Sequence, residues 1–102
     1  MNATRLAAMK DGAALVNVAR GPVVDTDALI AELNSGRITA GLDVTDPEPL
    51  PAGHPLWSAR NVIITPHVGG DSAAFVPRGR KLVEEQLARY ASGQPLLHIV
   101  AQ

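Results

Sequence analysis

The sequence contains no cysteine, which removes disulfides and thiolate metal sites from consideration. It also lacks an excess of either charge: nine Lys and Arg against ten Asp and Glu leave a net charge of -1. Nothing in that balance points to nucleic acid or to an anionic membrane as partner. No apolar run approaches membrane-spanning length. The start, Met1-Asn2-Ala3-Thr4-Arg5, is followed by no long apolar region, so no signal peptide is expected. These absences lead to the expectation of a soluble, cytoplasmic protein. What is present is one small domain's worth of chain, 102 residues, 46% hydrophobic. That content argues for a packed globule and against disorder.

Residues 3–10 read as a short helix with Leu6 and Met9 on one face, ended by Asp11-Gly12. Residues 13–18 are nearly continuous in apolar side chains, as strands covered on both faces are. Ala19-Arg20-Gly21-Pro22 breaks that strand. Asp25 or Thr26 caps the next helix, and Leu29, Ile30 and Leu33 give it an apolar stripe. Residues 38–44 form a second strand, so strand, helix and strand make a βαβ unit with a right-handed crossover expected. Pro47, Pro49, Pro51 and Pro55 then crowd residues 45–60, a density that no helix or ladder strand tolerates. A long loop in a compact domain is usually functional, and Leu56 and Trp57 are expected to pin it to the body. Asn61-Val62-Ile63-Ile64 is a third, buried strand that runs into Thr65-Pro66-His67-Val68-Gly69-Gly70. From Ser72 the pattern is helical, with Leu82, Val83, Leu87 and Tyr90 along one face and Pro77 in the first turn. Ser92-Gly93 ends it, and Leu96 to Val100 form an apolar tail. Strand 13–18 asks for burial on both faces, yet no strand precedes it here.

Parallel strands of an α/β sheet bring their carboxyl ends to one edge, where ligands bind. Four polar residues fall there: Arg20 after the first strand, Asp43 at the end of the second, Glu48 in the proline-rich loop and His67 after the third. Taken singly, each has an ordinary reading as a loop or turn residue. His54, between Gly53 and Pro55, is explained by turn chemistry. A metal site of His54, His67 and Glu48 matches no compact ligand spacing, so no metal is expected. Together the four make chemical sense. Arginine clamps a carboxylate, histidine exchanges a proton near neutral pH, and glutamate favours the protonated imidazole and orients it. Aspartate beside glycines accepts an amide or faces a cationic ring. That set suits reversible reduction of a 2-oxo acid, with a nicotinamide supplying hydride.

The motifs Met9-Lys10-Asp11-Gly12, Asn17-Val18-Ala19-Arg20-Gly21, Val24-Asp25 with Ala28-Leu29, Gly41-Leu42-Asp43-Val44 through Pro47-Glu48-Pro49-Leu50, His54-Pro55-Leu56-Trp57 and Thr65-Pro66-His67-Val68-Gly69-Gly70 occur in this order. In them the chain resembles the carboxyl-terminal part of the D-isomer-specific 2-hydroxyacid dehydrogenases. The resemblance covers essentially all of it. It implies a partial doubly wound, Rossmann-like parallel α/β sheet with flanking helices, plus a C-terminal helix. It implies that residues 1–71 are the second half of a dinucleotide-binding domain and that residues 72–102 return to a substrate domain. It further implies that Arg20 binds the substrate carboxylate, that His67 donates the proton, and that Glu48 pairs with His67. Asp43 would contact the nicotinamide end of the cofactor. The backbone of Val18, Ala19, Arg20, His67, Val68, Gly69 and Gly70 would line the same cofactor, NAD, with NADP open. A small 2-oxo or 2-hydroxy acid as substrate and a homodimer are implied in the same way. The family's G-x-G-x-x-G phosphate loop, ribose-binding acid and substrate domain have no counterpart in the sequence. The chain alone is therefore expected to be inactive. The alternative is a non-catalytic remnant, or a small interaction domain that pairs through an open sheet edge.

Overall fold

A computed structural model describes residues 1–100. The chain divides into two compact units, one spanning Met1–Gly69 and one beginning at Gly70.

The first unit is built on three parallel strands, β1 (Ala14–Asn17), β2 (Thr39–Leu42) and β3 (Val62–Ile64), in the order β1-β2-β3. Ala14 pairs with Thr39 and Ala40 with Val62. Helix α1 (Ala3–Ala7) precedes β1, and helix α2 (Thr26–Asn34) joins β1 to β2. Asn2 caps α1 by accepting from the Arg5 amide, and Asp25 caps α2 by accepting from the Ala28 amide at 3.0 Å. Of the two caps considered for α2, the carboxylate is the one used.

Helix α1 stops three residues short of the expected Lys10. Arg37 explains the early end. Its guanidinium donates to the carbonyls of Leu6 and Met9, which a continuing helix would give to later amides. The same side chain pairs with Glu32 at 2.8 Å and with Asp11 at 3.5 Å. The hydrogen bond that Arg37 donates to Glu32 raises the Arg37 pKa further above its usual range.

The core lies on one side of the sheet. Leu6, Leu15, Leu29, Leu33, Ile38, Ala40, Leu42 and Leu56 meet there. Full burial of one such leucine contributes about 1.5–3 kcal/mol relative to exposure. The other side of the sheet is open: Val16 is 70% exposed and Ile63 72%. Residues 13–18 are therefore not covered on both faces as their composition suggests. The physical reason lies in the strand order. The strands advance in one direction, β1-β2-β3, and both connections enter the same core, through Leu29 and Leu33 of α2 and through Leu56 of the 3-10 turn Pro55–Ser58, so neither is left for the other face. That short turn was not expected in so proline-dense a stretch, but Pro55 occupies its first position, where no amide donor is needed. Leu56 is buried and pins the loop; Trp57 is 56% exposed and does not, its indole N–H going instead to the Pro51 carbonyl.

The second unit holds α3 (Phe75–Ala91), which begins three residues after Ser72 with Pro77 in its first turn. Arg80 pairs with Glu84 and Arg89 with Glu85, one turn apart. Gly93, at φ +70°, ends the helix. The tail folds back locally, the Leu97 amide donating to Gln86 at 3.0 Å. Leu82, Val83, Leu87 and Tyr90 are exposed, so the face they share is not a buried one. No helix among the described residues is long and apolar enough to cross a membrane.

Candidate active site

Because β1, β2 and β3 are parallel, the loops that follow them leave from one edge of the sheet. The β1 loop opens with Asn17, a buried polar residue that the sequence motif contained but to which no role was assigned. Its side chain accepts from the Ala19 amide at 3.1 Å and donates to the Arg20 carbonyl at 2.9 Å. This local turn shapes the Val18-Ala19-Arg20 backbone. Val18 is exposed, and the Arg20 guanidinium reaches only its neighbour, the Ala19 carbonyl. Among the described residues Arg20 forms no ion pair, so apart from that one bond its planar donor fork is open to a ligand.

After β2, Asp43 is buried and its amide donates to the Asn17 carbonyl, which ties this loop to β1. Its carboxylate turns toward the loop after β3. Oδ1 accepts the Thr65 hydroxyl at 2.5 Å and the Val68 amide at 2.9 Å; Oδ2 accepts the Gly69 amide at 2.7 Å. These bonds hold the carboxyl below the usual carboxylate range. The Thr65 hydroxyl contributes most, followed by the Gly69 amide, while burial works the other way.

The β3 loop starts with a tight turn in which the His67 amide donates to the Thr65 carbonyl at 3.0 Å across Pro66. His67 then takes a left-handed conformation, φ +57°. For a residue with a Cβ this costs roughly 1–2 kcal/mol. The conformation was not legible beforehand, since histidine carries no such preference as strongly as glycine does. The ring sits with Nδ1 2.5 Å from Glu48 Oε1. An ionised carboxylate only accepts, so Nδ1 carries the proton and Nε2 is the nitrogen left for exchange. The side chains are 44% and 38% exposed, so the pair is open to a reactant.

The structure therefore brings Asp43, Glu48, His67, Val68 and Gly69 together, and sets Val18, Ala19 and Arg20 on the neighbouring loop. Gly70 falls in the second unit. His54 is occupied elsewhere, its Nδ1 accepting from the Leu56 amide at 3.2 Å. His67 and Glu48 open onto a cleft of about 240 Å³ whose other walls include Leu50, Trp57 and Ile64. A few convergent polar groups against an apolar wall are the usual make-up of a small-molecule site.

A parallel sheet with a histidine–carboxylate pair and an arginine on the loops at its carboxyl edge is the arrangement of an open α/β fold with a candidate ligand site at its strand ends. Residues 1–69 match the family described as D-isomer specific 2-hydroxyacid dehydrogenase, NAD binding domain, and the chain belongs to that family. The chain is 56% identical over 66 residues to glyoxylate/hydroxypyruvate reductase B of Yersinia pestis, which covers 64% of this chain and 20% of that protein. Among solved structures, a D-isomer specific 2-hydroxyacid dehydrogenase from Xanthobacter autotrophicus in complex with NADPH and MES is 48% identical with a TM-score of 0.86. That match covers 99% of this chain and 41% of the other. The holo form of Rhodotorula graminis D-mandelate dehydrogenase is 38% identical with a TM-score of 0.89, covering 100% of this chain and 30% of that one. The chain thus spans less than half the length of these proteins. The expected fold class, a Rossmann-like parallel sheet with a C-terminal helix, is borne out, as is the family.

The residues present fit one end of a dinucleotide. Asp43 Oδ2 takes a single amide, leaving it able to accept a carboxamide donor. No G-x-G-x-x-G loop is present in the sequence to cradle a pyrophosphate.

Proposed function

We propose that this chain carries the acid/base half of an NAD(P)-dependent D-2-hydroxyacid dehydrogenase active site, with residues 1–71 as the second half of the dinucleotide-binding domain. Residues 72–102 lead toward a substrate domain. The observation that carries the reading is the His67–Glu48 pair at 2.5 Å on the carboxyl edge of a parallel sheet, in a chain of this family. A bound nicotinamide cofactor would supply or accept the hydride. His67, with Glu48 fixing Nδ1, gives its Nε2 proton to the oxygen of a 2-oxo acid and takes it back in the reverse direction. Arg20 grips the substrate carboxylate in a two-pronged hydrogen bond. Asp43 and the backbone of Val18, Ala19, Val68, Gly69 and Gly70 border the nicotinamide.

The substrate class is a small 2-oxo acid. Glyoxylate and hydroxypyruvate are the first to try, given the name of the Yersinia relative. NAD is the first cofactor to try, with NADP beside it. A homodimer in the cytoplasm, without nucleic-acid or membrane partners, is the working assembly.

The test is turnover with the amino-terminal part of a family member supplied, fused or co-expressed. NADH oxidation with glyoxylate or hydroxypyruvate is expected from the completed protein, and none from the 102-residue chain alone. His67→Gln is expected to lower turnover by roughly 10²–10⁴-fold with cofactor binding retained. Turnover within a few-fold of the parent would remove His67 from the mechanism.

A further inference from the structure

We propose that Thr65 is a positioning residue for His67, acting through Asp43. The inference rests on the reading of His67 as the proton-transferring group, and adds what holds that group in place. A left-handed conformation at a residue with a Cβ persists only where its surroundings over-determine it. Here three donors converge on one buried carboxylate: the Thr65 hydroxyl from before His67, and the Val68 and Gly69 amides from after it. Pro66 has no amide to offer, and the amide of His67 itself is taken by the Thr65 carbonyl. The Thr65 hydroxyl is thus the donor that fastens the amino-terminal side of the turn to Asp43. Asp43 is in turn fastened to β1 through its amide and the Asn17 carbonyl at 3.0 Å. The fit is close, since a Cβ on Gly69 would lie 2.8 Å from Asp43 Oδ2. Among the described residues the imidazole has a single hydrogen bond, to Glu48. Its aim is therefore set by the backbone that Asp43 holds, and Thr65 supplies the side-chain donor that directs Asp43.

The experiment is nuclear magnetic resonance on the full chain, comparing the parent with Thr65→Val and Thr65→Ser. Valine keeps the shape and removes the hydroxyl. It is expected to abolish the hydrogen-bonded Nδ1 proton signal of His67. It is also expected to speed exchange of the Val68 and Gly69 amides roughly tenfold or more, the change implied by losing a hydrogen bond to a charged group. The strand amides of Ala40 and Leu42 should stay as slow as before. Serine, which keeps the hydroxyl, should restore both signatures; a merely structural role for the threonine methyl would not produce that rescue. Unchanged His67 signals in a folded Thr65→Val, or a Thr65→Ser as defective as the valine variant, would overturn the proposal. The parent chain provides a check that needs no variant. Its Val68 and Gly69 amides should exchange at least roughly tenfold more slowly than that of the exposed Gly53, by the same hydrogen-bond argument, and equal rates would overturn the proposal. These readouts follow ring placement, not turnover. Loss of His67 from the mechanism would therefore show in the activity test while leaving them intact.

Discussion

Gly21 lies against Thr45 so closely that a Cβ on it would sit 2.0 Å from the Thr45 carbonyl oxygen. The loop that carries Arg20 and the loop that leads from Asp43 to Glu48 thus touch backbone to backbone. No side chain fits between them, and neither backbone can yield without moving its site residue. Gly21→Ala is expected to cost about 2–3 kcal/mol or more, the penalty of overpacking against atoms that cannot rotate away. Urea unfolding of the full chain would show it as a lower midpoint; an unchanged midpoint would mean the loops slide freely.

Glu48→Gln separates orientation from stability. The His67–Glu48 pair is partly exposed, so its removal should change unfolding free energy by no more than about 1 kcal/mol. Turnover of a completed enzyme should nonetheless fall roughly 100-fold, because glutamine cannot stabilise the imidazolium as a carboxylate does. Equal turnover by the variant would show that His67 works without its partner.

Asp43 should leave a mark on acid stability. Its folded pKa is depressed, so its contribution is fully present above the unfolded value of about 3.9. It is lost as pH falls through the lower, folded value. The stability difference between the parent and Asp43→Asn should therefore be largest near neutral pH and shrink below about pH 4, the unfolded carboxylate range. A difference that stays constant down the acid limb would mean Asp43 is not selectively stabilised as an anion.

Leu33 is fully buried between the sheet and the helices. Leu33→Ala is expected to cost about 2–5 kcal/mol, the loss of transfer energy plus the cavity left behind. Thermal unfolding would report it. A loss under about 1 kcal/mol would mean that the site collapses around the smaller residue.

The open sheet face gives the opposite expectation. Val16 and Ile63 are largely exposed, so Val16→Thr with Ile63→Thr should leave stability within about 1 kcal/mol, as substitutions at exposed sites do. Light scattering should show less self-association, since an exposed apolar surface is an aggregation site. If the double variant unfolds instead, that face is buried in solution.

The strands and the helix between them were legible because apolar runs, caps and glycine stops all agree at Leu15, Asp25 and Gly36. The convergence of Asp43, Glu48 and His67 was legible from topology alone, since parallel strands deliver their ends to one edge. The one-sided core was not. Composition at residues 13–18 records what a strand can bury, whereas actual burial depends on which face the connections take, and here both connections pack on the same one. Arg37 was also out of reach: its bonds to Leu6 and Met9 span the fold, and a lone arginine after Gly36 carries no local sign of them. The same holds for Asn17 and Thr65. Their types were visible, but their partners lie across a turn that only the folded backbone defines.

The chain has a single tryptophan, and it is Trp57, half-exposed on the wall of the cleft that His67 and Glu48 open into. The cleft therefore carries its own optical reporter. A molecule that displaces water from this wall moves the indole into a drier setting and shifts its emission to the blue, so ligands can be ranked by fluorescence alone. No dye, label or coupled reaction is needed, and no other indole contributes background.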